Sequence, residues 1–573
     1  MRAKTHFYAL RTAALLAVSA ASIMTAAHDA FAQSAADPGL AGERLRRENV
    51  LPDVTPDVQV KAGGSVQAPA GAEKVNFTLK GLTVDGASTY KESEIRALYA
   101  GKIGQNISLA EVFGIANDIT MKYRNDGYIL TQVVVPPQTI EDGTVRLQVV
   151  EGFVDKINIR KENANAPINT RDIEAYAAKI NAGGALNAAE LERQLLLIND
   201  LPGVTARSVL SPSATTPGAS DMDIILSYDP VDALLSVDNF GSRYLGPVQV
   251  GGAVTLNSML GLNEAITLQT VVAPQSWYEL AYGSIGYEQP VGAYGTKAHA
   301  RANVTDTEPG YDLEEFDVRG RSYLLNVGVS HPFIRSRTEN LTGRFDYDWR
   351  RVRSANNVEE TRRDRISALR LGGRYELVET LIGPAANTVD VELSKGIGLF
   401  ASDEGDENLS RAQGDPNFTK VTLELQRLQR VTGSINLLLA ARGQKASDAL
   451  LSSEEFSIGG MQFGRGYDPS EIAGDDGIAG TVELQWKEPV PFSNSFIESY
   501  QLYGFYDIGR VWNKDATTSS QERDSLASAG PGVRLDLPLD VQAGFAVAFP
   551  LTREVETEND KSPRYYFNLS KRF

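Results

Sequence analysis

The sequence predicts a membrane β-barrel, a sixteen-stranded antiparallel transmembrane barrel, preceded by two small modules of β-α-α-β-β order. Three observations lead to this fold class. From residue 231 to the end, apolar and polar residues alternate along long runs. Before this region, strand-like and helix-like patterns alternate twice. After the N-terminal segment, no uninterrupted apolar run approaches the ~20 residues that a membrane-spanning helix needs.

The first 32 residues have the three parts of a secretory signal peptide. Three basic residues precede a mostly small and apolar stretch at 13–27. Ala30-Phe31-Ala32 forms an A-x-A cleavage site. An anchoring helix is the alternative, but the stretch is too short for one and ends in small residues. We therefore expect residues 1–32 to be removed and the mature chain to leave the cytoplasm.

Residues 33–74 are predicted to hold a short helix and a linker. The sequence LAGERLRREN predicts a helix from Leu40 to Asn49. Several prolines and the pair Gly63-Gly64 follow, and this composition is typical of a flexible spacer.

Residues 75–152 and 153–230 are predicted to form two modules of the same order. In the first, 75–84 is a predicted strand, a helix starts at Lys91, and Ser108 with Glu111 forms the capping box of a longer helix that ends near Asn125. The second-helix caps Ser108 and Asn187 lie 79 residues apart, so the pattern repeats at the size of a domain. The other predicted elements are strands at 128–137, 143–152, 156–160, 204–210 and 222–229, and helices that begin at Thr170 and Asn187.

Residues 231–573 carry the alternation that predicts the barrel. In LTGRFDYDWR, Leu341, Phe345 and Tyr347 share one face, and Arg344 and Asp346 lie on the other. A soluble sandwich also alternates, but its polar face is rarely so charged over long runs. A lipid-facing outer surface around a wet, charged lumen explains the pattern directly.

About sixteen such runs fit into this region, which suits strands of ~9–11 residues joined alternately by short and long connections. The long connections are polar and acidic, as at 401–417 and 552–563, and are predicted to face outward. An even strand number leaves both ends of the barrel on the side of the modules. The short turns are predicted at 289–296, 331–338, 488–495 and 537–542.

The C-terminal sequence YYFNLSKRF is predicted to close the barrel. A barrel pairs its last strand with its first and so removes both edges. A terminal strand with an aromatic face suits this position. The residues that share the face are Tyr565, Phe567, Leu569 and Phe573.

Composition excludes several classes of function. The chain has no cysteine, so a disulfide framework or a thiolate metal site is not available. Only His299 and His331 follow the signal peptide, and we expect no metal site. A net charge of −17 argues against a general nucleic-acid-binding surface. Because G-x-S-x-G and H-E-x-x-H motifs are missing, we expect neither an enzyme nor a cofactor.

Two short motifs lie inside the barrel region, GRGY at 464–467 and GFYDIG at 504–509. Glycine on both sides of the arginine permits backbone angles and close approaches that other side chains block. Strand alternation gives the second motif one shared face. The residues singled out are Gly464, Arg465, Gly466 and Tyr467 in the first motif, and Phe505, Asp507 and Gly509 in the second.

With a short helix, a linker, two modules, the hairpin DNFGSRYLGPVQVGGAVTLNSMLGLNE at 238–264 and both motifs in this order, the chain resembles a known family. It is similar to the outer-membrane transporters of two-partner secretion, the haemolysin-activator and filamentous-haemagglutinin-transporter group of the Omp85 superfamily. The resemblance covers essentially the whole mature chain. It implies that the two modules are polypeptide-transport-associated (POTRA) domains in the periplasm.

The resemblance also implies how the lumen is filled. The N-terminal helix would plug it, and residues 446–476, between the eleventh and twelfth strands, would fold back into it. Arg465 at the tip would then reach the inner wall of the thirteenth strand at Phe505, Asp507 and Gly509. A guanidinium in a narrow lumen needs a carboxylate partner, which supports a pair with Asp507.

The implied function is export of a large partner protein with an N-terminal secretion domain across the bacterial outer membrane. The periplasmic modules would capture that domain by strand addition or in a groove. Other implied partners are the barrel assembly machinery, which would recognise the C-terminal strand, and outer-membrane lipid. The alternatives are an Omp85-type insertase and, less favoured, a diffusion porin. The predicted docking residues are Val133, Val134, Val135, Pro136 and Pro137.

Overall fold

The computed structural model describes residues 36–48, 67–140, 142–180, 184–216, 218–276, 278–490, 496–516 and 522–573. The predicted signal peptide and residues 49–66 of the predicted linker lie outside the described residues. The predicted N-terminal helix is α1 (Pro38–Glu48). Among the helices of the described ranges, none combines the length and the apolarity needed to cross a bilayer.

The first module packs two helices against a three-stranded sheet, with a two-stranded pair beside it. In chain order its elements are β1 (Asn76–Thr78), β2 (Gly81–Asp85), α2 (Glu92–Arg96), β3 (Asn106–Ser108), α3 (Leu109–Asn125), β4 (Gln132–Val134) and β5 (Thr144–Val150). Strand β5 lies in the centre, parallel to β2 and antiparallel to β4. The Ser108 hydroxyl accepts the Glu111 N–H and the Glu111 carboxylate accepts the Ser108 N–H, so the predicted capping box is confirmed.

Two strand predictions in this module were wrong in extent. The predicted strand 75–84 is two strands, because the chain changes partner at Leu79: β1 pairs with β3, and β2 pairs with β5. The predicted strand 128–137 is only β4. Residues 128–131 form a turn, in which the Thr131 N–H donates to the Tyr128 carbonyl, and Pro136 and Pro137 have no N–H to continue a ladder.

The second module repeats the same order. Its elements are β6 (Phe153–Lys161), α4 (Thr170–Ile180), α5 (Ala188–Asn199), β7 (Val204–Pro212) and β8 (Ala219–Tyr228). Strand β8 is central, parallel to β6 and antiparallel to β7. The Asn187 side chain caps α5 as predicted. Backbone hydrogen bonds from Leu186 to Gly152 and from Ala188 to Gly127, both 2.8 Å, join this module to the first.

Sixteen strands within the described residues close into an antiparallel barrel, which confirms the predicted count. Each pairs with the next barrel strand, and the last pairs with the first through Asn568 to Arg572 against Leu234 to Asp238. The barrel strands are β9 (Val231–Asp238), β10 (Gln249–Asn257), β11 (Ala265–Val272), β12 (Ala281–Val291), β13 (Thr296–Thr307), β14 (Arg319–Arg335), β15 (Glu339–Ala355), β16 (Glu360–Glu379), β17 (Ala385–Gly396), β18 (Thr419–Arg430), β19 (Ile435–Ala446), and, after two short strands β20 (Phe456–Ile458) and β21 (Ile472–Gly474), β22 (Asp476–Pro489), β23 (Ser499–Trp512), β24 (Arg523–Leu537), β25 (Val541–Pro550) and β26 (Arg564–Arg572).

The predicted alternation gives the barrel an apolar outer face and a polar lumen. On β15, Phe345 is exposed on the outside, while Asp346, Asp348 and Arg350 are buried inside. The charged side chains are buried because other segments of the chain fill the lumen and take the place of water around them.

The second module is docked on the turns at one end of the barrel. The Arg335 guanidinium donates to both carboxylate oxygens of Asp200, at 2.6 and 2.8 Å. Arg193 donates to the Pro332 carbonyl at 3.0 Å, and Asn263 donates to the Asp172 carboxylate at 2.9 Å. These contacts place both modules at the end of the barrel where the short turns lie.

Helix α1 lies in the lumen. Asp37 precedes it and its carboxylate accepts the backbone N–H groups of Gly39 and Leu40 at 2.6 and 3.2 Å, which is the geometry of an N-terminal cap. The same carboxylate pairs with Arg362 on the barrel wall. The apolar face packs on one side of the barrel, where Ala41 and Leu45 form a buried cluster with residues that include Leu245, Val271, Leu280 and Tyr282.

Candidate functional site

The connection between β19 and β22 folds back into the barrel. It spans residues 447–475 and carries the hairpin of β20 and β21. Phe456, Ile458 and Tyr467 are buried in a cluster with residues of the barrel wall. We call this segment the inward connection. Together with α1, it occupies the lumen.

Gly464 and Gly466 have backbone angles that other residues rarely adopt. Their φ values are 100° and 98°. A Cβ atom on Gly464 would lie 2.9 Å from Leu526 Cδ1, and one on Gly466 would lie 3.3 Å from Ala548 Cβ. The tip therefore fits the wall only with glycine on both sides of Arg465.

The side chain of Arg465 reaches Asp507 on β23. Its Nε donates to Oδ2 at 2.9 Å and its Nη2 donates to Oδ1 at 2.8 Å, which is a bidentate pair. The backbone N–H groups of Gly464 and Arg465 donate to the same Oδ2 at 3.2 and 3.0 Å. The guanidinium also lies 3.6 Å from the centre of the Phe505 ring. Arg465 is only 4% exposed, so water does not weaken these contacts.

A second carboxylate, which the sequence analysis did not single out, also holds the arginine. Arg465 Nη1 donates to Glu483 Oε2 on β22 at 2.6 Å, and Nη2 donates to the Thr481 hydroxyl at 2.9 Å. Glu483 is shared with Arg534, whose Nη1 donates to Oε1 at 2.7 Å. Alternation along 481–487 puts Thr481 and Glu483 on one polar face, but only the pairing of β22 with β23 puts that face beside Asp507.

The tip of the inward connection is also tied to the end of the chain. The Gly466 N–H donates to the Tyr566 hydroxyl on β26 at 3.0 Å, and the Asp468 carboxylate accepts from Arg564 at 2.9 Å. The Tyr467 hydroxyl donates to the Ala527 carbonyl on β24 at 3.0 Å. Together with Ala548 on β25, these residues of β24 and β26 form the surface on which the GRGY motif lies.

Gly509 plays a different part from the one that the resemblance implied. It lies on the same face as Phe505 and Asp507, but its neighbour is β20 of the inward connection. A Cβ atom at this position would lie 2.5 Å from Ile458 Cδ1. Gly509 therefore leaves room for the base of the inward connection.

One arginine links the two segments that fill the lumen. Arg350 on β15 donates to the Glu43 carboxylate of α1 at 2.9 Å and to the Ser453 carbonyl of the inward connection at 2.9 Å. Beside it, Glu454 accepts from Arg370 and Lys420, both at 2.8 Å. The lumen contents are therefore held to the wall by buried ion pairs.

An outward-facing loop is locked onto the same segments. Arg411, in the connection from β17 to β18, contacts the Asp475 carboxylate with two nitrogens, at 2.5 and 3.0 Å, and the Glu455 carboxylate at 2.9 Å. The Ser410 N–H donates to Asp364 at 2.9 Å, and Asp364 accepts from Arg362, the partner of Asp37. The loop, the inward connection and α1 therefore share one polar network.

The predicted docking residues lie at an edge of the first module. Val133 is fully buried in the module core, and Val134 ends β4. Beyond this point the Gln138 amide takes the place of a strand, since it both donates to and accepts from the backbone of Arg146 on β5 at 2.8 Å. Val135 packs against the core, and the two prolines follow it. The structure therefore offers a three-residue edge at β4, shorter than the predicted segment.

The C-terminal residues named above are exposed on the outer face of the barrel, where β26 meets β9. Asn239, just after β9, extends this contact with its side chain. It donates to the Tyr565 carbonyl at 2.8 Å and accepts the Phe567 N–H at 2.7 Å. The exposed residues are Tyr565, Phe567, Leu569 and Phe573.

Curated relatives match nearly the full length of the chain. The heme/hemopexin transporter protein HuxB of Haemophilus influenzae strain 86-028NP is 23% identical over 546 residues, which cover 93% of this chain and 94% of that protein. The outer membrane transporter CdiB of Dickeya dadantii strain 3937 is 21% identical and covers 87% of each chain.

Solved structures share the fold. CdiB from Escherichia coli superposes with a TM-score of 0.71 at 20% identity, over 93% of this chain and 96% of that one. A structure of BamA from Haemophilus ducreyi that lacks POTRA domains 1–3 gives 0.53 at 14% identity, over 87% of this chain and all of that one. At these identities the likeness shows the fold alone.

Family models match both parts of the chain. The model for the haemolysin secretion/activation protein ShlB/FhaC/HecB matches residues 218–535, and the model for the ShlB-type POTRA domain matches residues 77–152. The first match covers more than half of the chain and includes the inward connection, β22 and β23. The predicted resemblance is confirmed: the chain belongs to the haemolysin secretion/activation family ShlB/FhaC/HecB and is an outer-membrane transporter of two-partner secretion, with a periplasmic POTRA domain before its barrel.

Proposed function

We propose that this transporter exports one large, unfolded partner protein through the barrel lumen, and that α1 and the inward connection must leave their present positions before the partner passes. The observation that carries this proposal is the occupied lumen. A helix and a 29-residue connection, residues 447–475, fill it, and both are tied to the wall and to each other through Arg350. A polypeptide needs the space that these segments now take.

The chemistry of these contacts supports release. Ion pairs such as Asp37 with Arg362 and Arg465 with Asp507 hold the segments to the wall, beside the apolar clusters around Leu45 and Phe456. A buried ion pair contributes little net free energy, because removing both charges from water costs about as much as their attraction returns. When water enters the lumen, each charge regains its hydration. The same segments would be much harder to extract from an apolar core.

The periplasmic modules are proposed to receive the partner. We take both as POTRA domains, since the second repeats the strand and helix order of the first. The partner's N-terminal secretion domain would add a strand at an open sheet edge or occupy the groove beside it. The module-proximal mouth of the barrel is then the point where the partner enters. The barrel assembly machinery and outer-membrane lipid are the further partners that we propose, the former through the C-terminal strand.

An Omp85-type insertase is the second candidate, favoured only by the BamA-like fold. A diffusion porin is a weaker one, because neither the two docked modules nor the occupied lumen serves free diffusion. If the transporter exports a large secreted protein encoded by a neighbouring gene, and other barrels assemble normally without the transporter, the first proposal is separated from both alternatives.

The structure offers a direct test of plug release. The chain has no cysteine. A Cβ atom on Gly42 of α1 would lie 3.7 Å from Thr305 Cβ on β13, close to the ~3.8 Å typical of a disulfide. The double variant Gly42→Cys/Thr305→Cys should therefore form a disulfide that holds α1 in the lumen.

We expect the oxidised double variant to export no partner and to show low single-channel conductance in planar bilayers. A reductant should restore both to the level of the two single-cysteine variants, which are the matched controls. Full export by the oxidised transporter would show that α1 stays in the lumen during transport and would overturn the proposed gating step.

A further inference from the structure

A row of apolar side chains lines the lumen near its periplasmic end. Val378 on β16 pairs with Ala386 on β17, Ala386 with Leu428 on β18, and Leu428 with Leu438 on β19. The four residues therefore lie side by side across four neighbouring strands. We call them the apolar row.

The apolar row faces the lumen. On these four strands, even-numbered residues closer to the end of the barrel away from the modules contact the lumen contents or one another inside the barrel. Lys420 and Gln444 contact Glu454 of the inward connection, and Arg370 contacts both Glu454 and Ser394. The pairing of β16 to β19 has no register shift, so every even-numbered residue of these strands keeps the same side. Membrane lipid therefore has no access to the row.

The row is unusual for its surroundings. Val378 is 51% exposed and Leu428 is 38% exposed, although both face a wet lumen. On three of the four strands, the next lumen-facing residue away from the periplasmic end is polar: Glu376, Thr388 and Gln426. Contact between apolar surface and water is unfavourable. An apolar partner that covers this patch would therefore lower the free energy.

The row continues onto the turns at the periplasmic mouth. Leu381 and Ile382, in the turn that follows β16, are 89% and 79% exposed, and Val431, in the turn that follows β18, is exposed too. The second module docks on turns between β10 and β15. The apolar row belongs to the next four strands, beside the docked module.

At its other end the row reaches the arginine site. Leu438 pairs directly with Glu483 on β22, which accepts from both Arg465 and Arg534. A chain that follows the row from the mouth therefore arrives at the carboxylate that helps to hold the tip of the inward connection.

We propose that the apolar row and the turn residues Leu381, Ile382 and Val431 form a track that binds the exported polypeptide in extended form as it enters the lumen. This inference rests on the proposed export function. The occupant is an unfolded chain with apolar side chains at alternating positions, because such a chain turns one apolar face to the wall. The location supports this choice, since the track lies inside the conduit and only a chain in transit passes over it.

The absence of cysteine from the sequence allows a direct test with purified full-length transporter in lipid nanodiscs. Leu428→Cys introduces a single thiol on the track. Thr267→Cys introduces one in the lumen cavity lined by His299 and Arg344, away from the track, and serves as the matched control. The probes are two synthetic peptides of equal length and charge, each with one activated mixed disulfide. One alternates valine with threonine, and the other has serine in place of valine.

Binding on the track raises the local concentration of the peptide beside the thiol. We expect Leu428→Cys to react about tenfold faster with the valine peptide than with the serine peptide, the factor that burial of about two methyl groups gives. Thr267→Cys should react with both peptides at the same rate. Adding Val378→Ser to Leu428→Cys should remove most of the preference.

Equal rates for the two peptides at Leu428→Cys, or an equal preference at Thr267→Cys, would overturn the track. The heat-dependent migration of each variant on gels reports that its barrel is folded. Because the assay needs no export, its failure would leave the disulfide result at Gly42 and Thr305 unaffected, and failure of export would not change the peptide rates.

Discussion

The two modules and the barrel lumen are both filled with side chains, but the lumen buries far more charged residues than the module cores do. The core of the second module consists of residues such as Ile173, Leu195, Ile198 and Ile224, all fully buried and apolar. The lumen instead combines apolar clusters around Leu45 and Phe456 with many buried charged residues. Among its most deeply buried are Asp37, Arg362, Asp364, Glu454, Arg465, Glu483 and Asp507.

This difference supports the proposal that the modules stay folded while the lumen contents are released. Exposing an apolar core costs roughly 25 cal/mol for each Å² of apolar surface, so we expect a module to keep its shape while it binds the partner as proposed. Separating ion pairs into water costs far less, because hydration replaces the lost attraction. The comparison predicts that changes in the modules abolish partner capture, whereas changes in the lumen alter gating.

The largest effect should come from removing the modules. Deletion of residues 75–229 should abolish export, because the partner then has no docking site, while the barrel still closes through its own strand pairs. The measurements are the amount of partner in the medium and the heat-dependent migration of the barrel on gels. Export that persists without the modules would remove their role as the receiving site.

A smaller effect should follow from changes at the arginine site, and its size should depend on which partner is removed. Arg465→Ala leaves the buried carboxylate of Asp507 without a cation and Glu483 with Arg534 alone, and should reduce export most. Asp507→Ala should reduce it less, because Glu483 still pairs with the guanidinium. Arg465→Lys should restore export only in part, since an ammonium cannot form the planar fork.

The measurement is secreted partner per folded transporter for these three variants and for Arg465→Ala/Asp507→Ala. Partners that act together are non-additive, so the double variant should be little worse than Arg465→Ala alone. Arg534→Ala is a matched control that removes a different guanidinium from Glu483. If losses from Arg465→Ala and Asp507→Ala simply add, the two residues act independently, and their bidentate pair does not couple the inward connection to the wall.

The smallest effect concerns pH and the first module. Burial tends to raise the pKa of the Glu151 carboxyl, but hydrogen bonds from the Ser88 hydroxyl, the Ser88 and Thr89 N–H groups and the Tyr123 hydroxyl outweigh it, and the pKa lies below its ordinary value. A lowered pKa stabilises the folded module above the ordinary glutamate range. This stability should be lost as pH falls through that range towards the folded pKa.

Hydrogen exchange in residues 84–90 of the purified full-length transporter, measured as a function of pH, tests this point. Glu151→Gln should flatten the dependence of module protection on pH as the pH falls through the ordinary glutamate range. Arg146 and Asp85, an exposed pair on the same module, give the control variant Asp85→Asn, whose effect should be smaller because solvent screens exposed pairs. An unchanged profile in Glu151→Gln would show that the hydrogen bonds do not control protonation.

Local pattern was enough to predict much of the molecule. Period-two alternation gave the barrel and its strand number, since successive side chains of a strand must point to opposite faces. The capping box at Ser108 was predicted because its two hydrogen bonds lie within four residues. The position of the inward connection followed from the resemblance, and the bidentate contact between Arg465 and Asp507 is present in the structure.

By itself, the sequence determined which residues face the lumen, where the modules begin to repeat and which loop carries the arginine. These features depend on neighbours along the chain. Only the tertiary structure decided the partners across the lumen: Arg362 with Asp37 over 325 positions, Arg350 between α1 and the inward connection, and Glu483 beside Arg465. Barrel closure and strand stagger set these distances, and a linear pattern of charges does not specify which of many opposite charges will meet.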